Sequence, residues 1–156
     1  DMLFQKQMKS LLVMALLTVA SIPAVTAEQL PSLLDITVYK SATCGCCNGW
    51  IDHLREQGFN VTAEDRDDLQ SIKKSVGVQA DLQSCNTALI AGYVIEGHVP
   101  ASDIQSILID HPSVAGLAAP GMPMQSPGIQ RPGLRPKGYA VLSFDQRGES
   151  ATFSQY

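Results

Sequence analysis

Leu33-Leu-Asp-Ile-Thr-Val-Tyr-Lys40 runs straight into Ser41-Ala-Thr-Cys-Gly-Cys-Cys-Asn-Gly-Trp50, and this passage decides the fold. Ile36 and Val38 alternate with polar neighbours, the period-two pattern of a half-buried strand over residues 33–40. Thr43 is then placed to cap a helix over 44–57, on which Trp50, Ile51 and Leu54 share one face before Gly58 stops it. Three of the four cysteines, Cys44, Cys46 and Cys47, therefore fall at the strand-to-helix turn. A helix N-terminus offers free N–H groups and the positive end of the macrodipole, which stabilise a thiolate. Cys44 gains most from this, and Cys47 stands one turn further along the same side.

Outward from this passage, residues 59–63 read as a second strand. Asp67 or Asp68 caps a short helix with Leu69, Ile72 and Val76 as its apolar stripe, ended by Gly77. Strands follow at 87–90 and 93–96, with Ala91-Gly92 as the hairpin turn. Ser102 caps a third helix whose Ile104, Ile107 and Leu108 face inward. Residues 120–138 hold five prolines and four glycines, a composition that fits a long loop and neither a helix nor a central strand. Residues 139–144 and 151–153 close the chain as a hairpin around Gln146-Arg-Gly148. The order matches a thioredoxin-like α/β fold, with a central mixed sheet, flanking helices and a long Pro/Gly-rich loop.

Lys6 and Lys9, the apolar run over 11–20, Pro23 and Val25-Thr-Ala27 form the pattern of a secretory signal peptide, with Met8 a better start than Met2. The apolar run is shorter than the ~20 residues of a membrane span. The expected organisation is a signal peptide over 1–27 and one domain over 28–156, exported and without a stable membrane span after cleavage. That domain keeps 9 of the 11 basic and 14 of the 15 acidic residues, a net charge of −5. With no basic run and no aromatic–basic patch, nucleic acid is not an expected partner.

Cys85 joins the three clustered cysteines, and three uses of the set compete. An exported chain with four cysteines invites two structural disulfides, but adjacent Cys46 and Cys47 could join only through a strained eight-membered ring. Cys44 and Cys47 have the spacing of a thiol–disulfide exchange pair, which leaves Cys46 and Cys85 as surplus thiols. A soft-metal site uses every sulfur. Zinc sites usually present two separated cysteine pairs, whereas Cu(I) accepts two or three thiolates and shares bridging sulfurs.

Met122 and Met124 stand in Pro120-Gly-Met-Pro-Met124, inside the Pro/Gly-rich stretch, where a core role is improbable. Thioether sulfur favours Cu(I) and stays available in an oxidising compartment, which makes them candidate ligands beside the alternative of gap-filling. His98, after a strand and ahead of Val99-Pro100, is either a hydrogen-bonded turn residue or a nitrogen donor to the site. His53 and His111 read as solvated.

Four ordered stretches together resemble the CopG-type periplasmic copper-binding proteins, long labelled a domain of unknown function. They are Cys44-Gly-Cys-Cys47, Ser84-Cys-Asn-Thr-Ala88, Gly92-Tyr-Val-Ile-Glu-Gly-His-Val-Pro100 and Pro120-Gly-Met-Pro-Met124. The resemblance covers about residues 35–153. It implies a thioredoxin-like fold and a role in copper resistance. It also implies a copper–sulfur cluster held by Cys44, Cys46, Cys47 and Cys85, cycling between Cu(I) and Cu(II), with Met122 and His98 as the nearest accessory ligands. Partners in keeping with it are copper ions and a copper efflux pump or a periplasmic copper oxidase or chaperone. No catalytic residue and no organic cofactor is assigned. Two positions depart from the family pattern: Asn86 stands where histidine is frequent, and Ile129 replaces a methionine.

Overall fold

The computed structural model describes residues 32–156, so the expected signal peptide lies outside the described residues. Strand β1 (Asp35–Lys40) buries Ile36, Val38 and Lys40 on alternate positions, as its pattern requires. Helix α1 (Gly45–Glu56) buries Cys47, Trp50, Ile51 and Leu54. Next come β2 (Asn60–Asp65), α2 (Leu69–Ser75) and a short 3-10 turn (Ala80–Leu82). The hairpin β3 (Asn86–Ile90) and β4 (Tyr93–Glu96) turns through Ala91 and Gly92, both at positive φ (46° and 84°), the geometry that matches strand twist. Helix α3 (Ala101–Asp110), β5 (Gly116–Ala118), β6 (Ala140–Phe144) and β7 (Ser150–Gln155) complete the chain.

The strands form one mixed sheet in the order β2-β1-β3-β4-β5-β6-β7. β1 runs parallel to β2 and β4 parallel to β5; the other neighbours are antiparallel. One apolar cluster joins Ile36, Val38, Trp50, Leu54, Ile95, Ile104 and Ile107, thus sheet, α1 and α3. A smaller one joins Val78, Leu82, Val94, Ala118 and Phe144. Fully burying each large side chain is worth roughly 1.5–3 kcal/mol, so the first cluster supplies most of the fold's driving force.

Several local expectations are corrected. Among the described residues, none of the three α-helices has a side-chain N-cap. Thr43 Oγ1 is paired with Ser41 Oγ at 3.0 Å, and Cys44 is the N-cap of α1. The Asp68 carboxylate is turned to Arg66, with both contacts at 2.9 Å, which also holds its pKa down. Pro100, not Ser102, precedes α3. In α2 the expected apolar stripe is only half-buried, and the buried side chain is Lys73. Strand β5 has no signature in the sequence, because three residues are too short to show alternation. Gly116 is required there, since a Cβ would run into the Val94 carbonyl.

Residues 119–139, between β5 and β6, form no helix or strand beyond an isolated bridge between Gly121 and Ser84. Among the described residues no helix is long and apolar enough to cross a membrane.

Candidate metal centre

Three segments converge at one end of the sheet because of strand register. β1 and β3 are antiparallel with Lys40 opposite Asn86, so the start of β3 lies beside the end of β1, where the chain turns into α1. β3 and β4 pair Thr87 with Glu96, so Gly97-His98 emerges at the same end. Cys44, at the N-cap of α1, Cys46 and Cys47 in its first turn, and Cys85 just before β3 are thereby brought together.

All four sulfurs lie within 4.8 Å of one another. Cys44 and Cys47 are joined in a disulfide, and Cys46 and Cys85 are free. Cys44 Sγ lies 3.6 Å from Cys46 Sγ, and Cys47 Sγ lies 3.4 Å from Cys85 Sγ. Cys47 is fully buried; the other three are half-buried, so the cluster is reachable from solvent on one side.

His98 stands against this cluster, with Nε2 3.3 Å from Cys85 Sγ. It is 1% exposed and stacked on Trp50, with ring centroids 5.9 Å apart and planes 6° from parallel. Trp50 is itself fixed by its indole N–H, which donates to the Val99 carbonyl at 2.8 Å. Burial pushes the His98 pKa down to about 4, with the Pro127 backbone opposing the shift, so the imidazole is neutral at pH 7. Its Nδ1 is buried without a hydrogen-bond partner. Burial, with Cys46 beside it, pushes the Cys85 thiol up to about 11, against the pull of the Ser84 hydroxyl. A raised thiol pKa in the free protein is what a cation would reverse, because coordination displaces the proton.

Asn86 is fully buried; its amide nitrogen donates to the Gly97 carbonyl at 3.4 Å, and its Oδ1 lies 3.4 Å from Cys85 Sγ. The residue that stands where a histidine was awaited is therefore a wall of the site, a role sequence reasoning missed. Met122 and Met124 are exposed (54% and 76%), which removes the gap-filling reading. Their loop is tied to the cysteine strand at Gly121, one residue before Met122, by the bridge to Ser84. His53, read from sequence as solvated, is half-buried, and its Nε2 accepts the Ala101 N–H at 3.2 Å. Burial pushes its pKa down. His111 is exposed at the end of α3 in the left-handed conformation.

The donor set is four sulfurs with an imidazole nitrogen at its edge and no carboxylate in the group. Such donors select soft cations over Mg²⁺ or Ca²⁺. A disulfide sulfur is a poor ligand, so the set fits a metal fully once two electrons and two protons return Cys44 and Cys47 to thiols.

A model of the family described as protein of unknown function DUF411 matches residues 82–129. Among the curated proteins none matches the chain. Two solved structures, titled copper resistance protein copG, forms 1 and 2, are 39% identical to it with TM-scores of 0.73. They match over 79% of this chain and 97% and 98% of their own lengths. The chain belongs to the CopG family. The family model spans Cys85, His98, Met122 and Met124 but not the first three cysteines.

Proposed function

We propose that this chain is an exported copper-binding protein of copper resistance or homeostasis. Its reduced sulfur cluster, Cys44, Cys46, Cys47 and Cys85, holds Cu(I) as a copper–sulfur cluster. The observation that carries this reading is the convergence of all four sulfurs within 4.8 Å in a relative of copper resistance proteins. Met122 and Met124 close the site from the Pro/Gly loop. His98 adds the nitrogen donor with which the site cycles between Cu(I) and Cu(II). The cysteine-bearing strand-turn-helix is the thioredoxin-like part of the fold, and residues 1–27 are the signal peptide that delivers residues 28–156 to the periplasm. A copper efflux pump, or a periplasmic copper oxidase or chaperone, is the partner class that such a site serves.

Trp50 keeps the His98 ring in plane, and the neutral imidazole can donate a lone pair without first losing a proton. Cys47, fully buried, is the sulfur most shielded from solvent once the disulfide to Cys44 is reduced. Cys44 at the helix N-cap is the one whose thiolate the helix favours most.

Thiol–disulfide exchange through Cys44 and Cys47 is the second reading, and the disulfide between them favours it. Anaerobic purification followed by copper analysis and a thiol count on the same sample separates the two. Copper with few titratable thiols supports the cluster, whereas no copper and one reducible disulfide supports exchange.

A further inference from the structure

The strands that frame the cysteines also carry a buried polar cluster that the metal reading does not use. Lys73 of α2 (2% exposed) reaches Glu96 at the end of β4 (0% exposed), with Nζ 2.5 Å from Oε1. Thr87, directly across from Glu96 in the sheet, accepts from Lys73 Nζ at 2.9 Å and donates to Glu96 Oε2 at 2.7 Å. One bond ties this cluster to the backbone of the site: the Ser84 N–H donates to Glu96 Oε1 at 2.7 Å. Ser84 immediately precedes Cys85. Its hydroxyl donates to the Gly121 carbonyl, while the Gly121 N–H donates to the Gln83 carbonyl at 2.9 Å. The Gly97 N–H donates to the Asn86 carbonyl at 3.0 Å, and a Cβ at Gly97 would strike the Ser84 side chain and the Ala119 carbonyl.

Apolar replacements of a buried ion pair are often neutral or stabilising, so the pair is weak evidence for a purely stabilising role. What the carboxylate does that an apolar side chain cannot is accept the Ser84 N–H. We propose that Glu96, oriented by Lys73 and Thr87, is a positioning residue of the metal centre: it fixes Cys85 opposite Cys47 and, through the Ser84 hydroxyl, the start of the loop that bears Met122. The ligand in this proposal rests on the copper reading, but the placement of Cys85 is equally a property of the metal-free protein.

Two variants separate the hydrogen bond from the charge. Lys73→Met/Glu96→Gln is neutral and keeps an acceptor for Ser84; Lys73→Met/Thr87→Val/Glu96→Leu is apolar and removes it. Cu(I) affinity against a chelator, thermal unfolding, and amide hydrogen exchange at Ser84 in the metal-free protein are read for both. The Gln variant is expected to keep slow Ser84 exchange and wild-type affinity. The apolar variant is expected to keep its unfolding midpoint, exchange Ser84 faster, and lose about 10–100-fold in Cu(I) affinity, the cost usual for a partner behind the ligands.

Wild-type affinity in the folded apolar variant, or an equal loss in both, overturns the proposal. If the apolar variant does not fold, Glu96→Asp decides, because it keeps the charge and withdraws the acceptor by one methylene. Weaker copper binding with faster Ser84 exchange supports the role; unchanged values contradict it. A wild-type protein that binds no Cu(I) sinks the copper reading alone, since Ser84 exchange still reports on positioning.

Discussion

β3 and β4 carry two polar clusters within a few residues of each other, and the two differ in what they leave unsatisfied. In the Lys73–Thr87–Glu96 cluster both carboxylate oxygens, the ammonium and the hydroxyl are hydrogen-bonded, and all three side chains are buried. At the cysteine end, the sulfurs face one another and His98 Nδ1 is buried without a partner. Burying polar groups is costly unless they are paired, and in the Lys73–Thr87–Glu96 network the protein's own groups supply every partner. Facing the sulfurs is His98 Nε2, and two free thiols, Cys46 and Cys85, stand beside the disulfide, donors of the kind a soft cation takes.

The largest effect should come from breaking the closed cluster. Glu96→Ala strands a buried ammonium and is expected to cost about 3–5 kcal/mol in denaturant unfolding of the metal-free protein. Cys46→Ala, at a half-buried position with no partner inside the fold other than sulfur, should stay within about 0.5 kcal/mol. Similar losses for the two would erase the distinction between a closed and an open cluster.

Next in size is a pH effect at the open cluster. His98 binds a proton less readily folded, at about 4, than unfolded, at about 6.5. Between those values the unfolded chain holds more protons, so the folded state loses stability as pH falls, by roughly 1.4 kcal/mol per pH unit. The stability of the metal-free wild type should fall relative to that of His98→Phe as pH drops from 6.5 to 4. Parallel curves would mean that the imidazole titrates unhindered. In the copper-loaded protein, His98→Phe should keep Cu(I) and lose the Cu(II) signal in electron paramagnetic resonance after oxidation; an unchanged spectrum removes its redox role.

The smallest stability effect belongs to the exposed loop. Met122→Leu conserves volume and should shift unfolding by less than ~1.5 kcal/mol. It should still weaken Cu(I) binding in chelator competition, because Met122 adjoins the Gly121–Ser84 bridge. Unchanged affinity in Met122→Leu and Met124→Leu would leave both thioethers without a part in the site.

Much of this arrangement was legible in the sequence, and the illegible part has physical reasons. Alternation at Ile36 and Val38, the apolar face of α1 and the Ala91-Gly92 turn are local signals, and each element stands where its pattern put it. Three cysteines on one turn announced the site. Which residues would face it depended on register: Lys40 opposite Asn86 and Thr87 opposite Glu96 set the meeting of Cys85 and His98, and no local pattern encodes those pairings. The helix caps misled because Ser41 and Arg66 compete for the capping side chains. The burial of Lys73 is not legible locally, because a lysine at a core-facing position makes sense only with its partner, more than twenty residues on in β4. Its one signal was position, four residues after Leu69 on the apolar side of α2.

Whether the four sulfurs act as one unit is tested most directly by anaerobic Cu(I) titration of the reduced wild type, Cys44→Ser and Cys46→Ser side by side. A shared cluster loses bridging sulfur from either position, so both variants should fall to a similarly reduced copper stoichiometry. Full copper binding by Cys46→Ser, with loss only in Cys44→Ser, would contradict the cluster and leave Cys44 and Cys47 as an exchange pair.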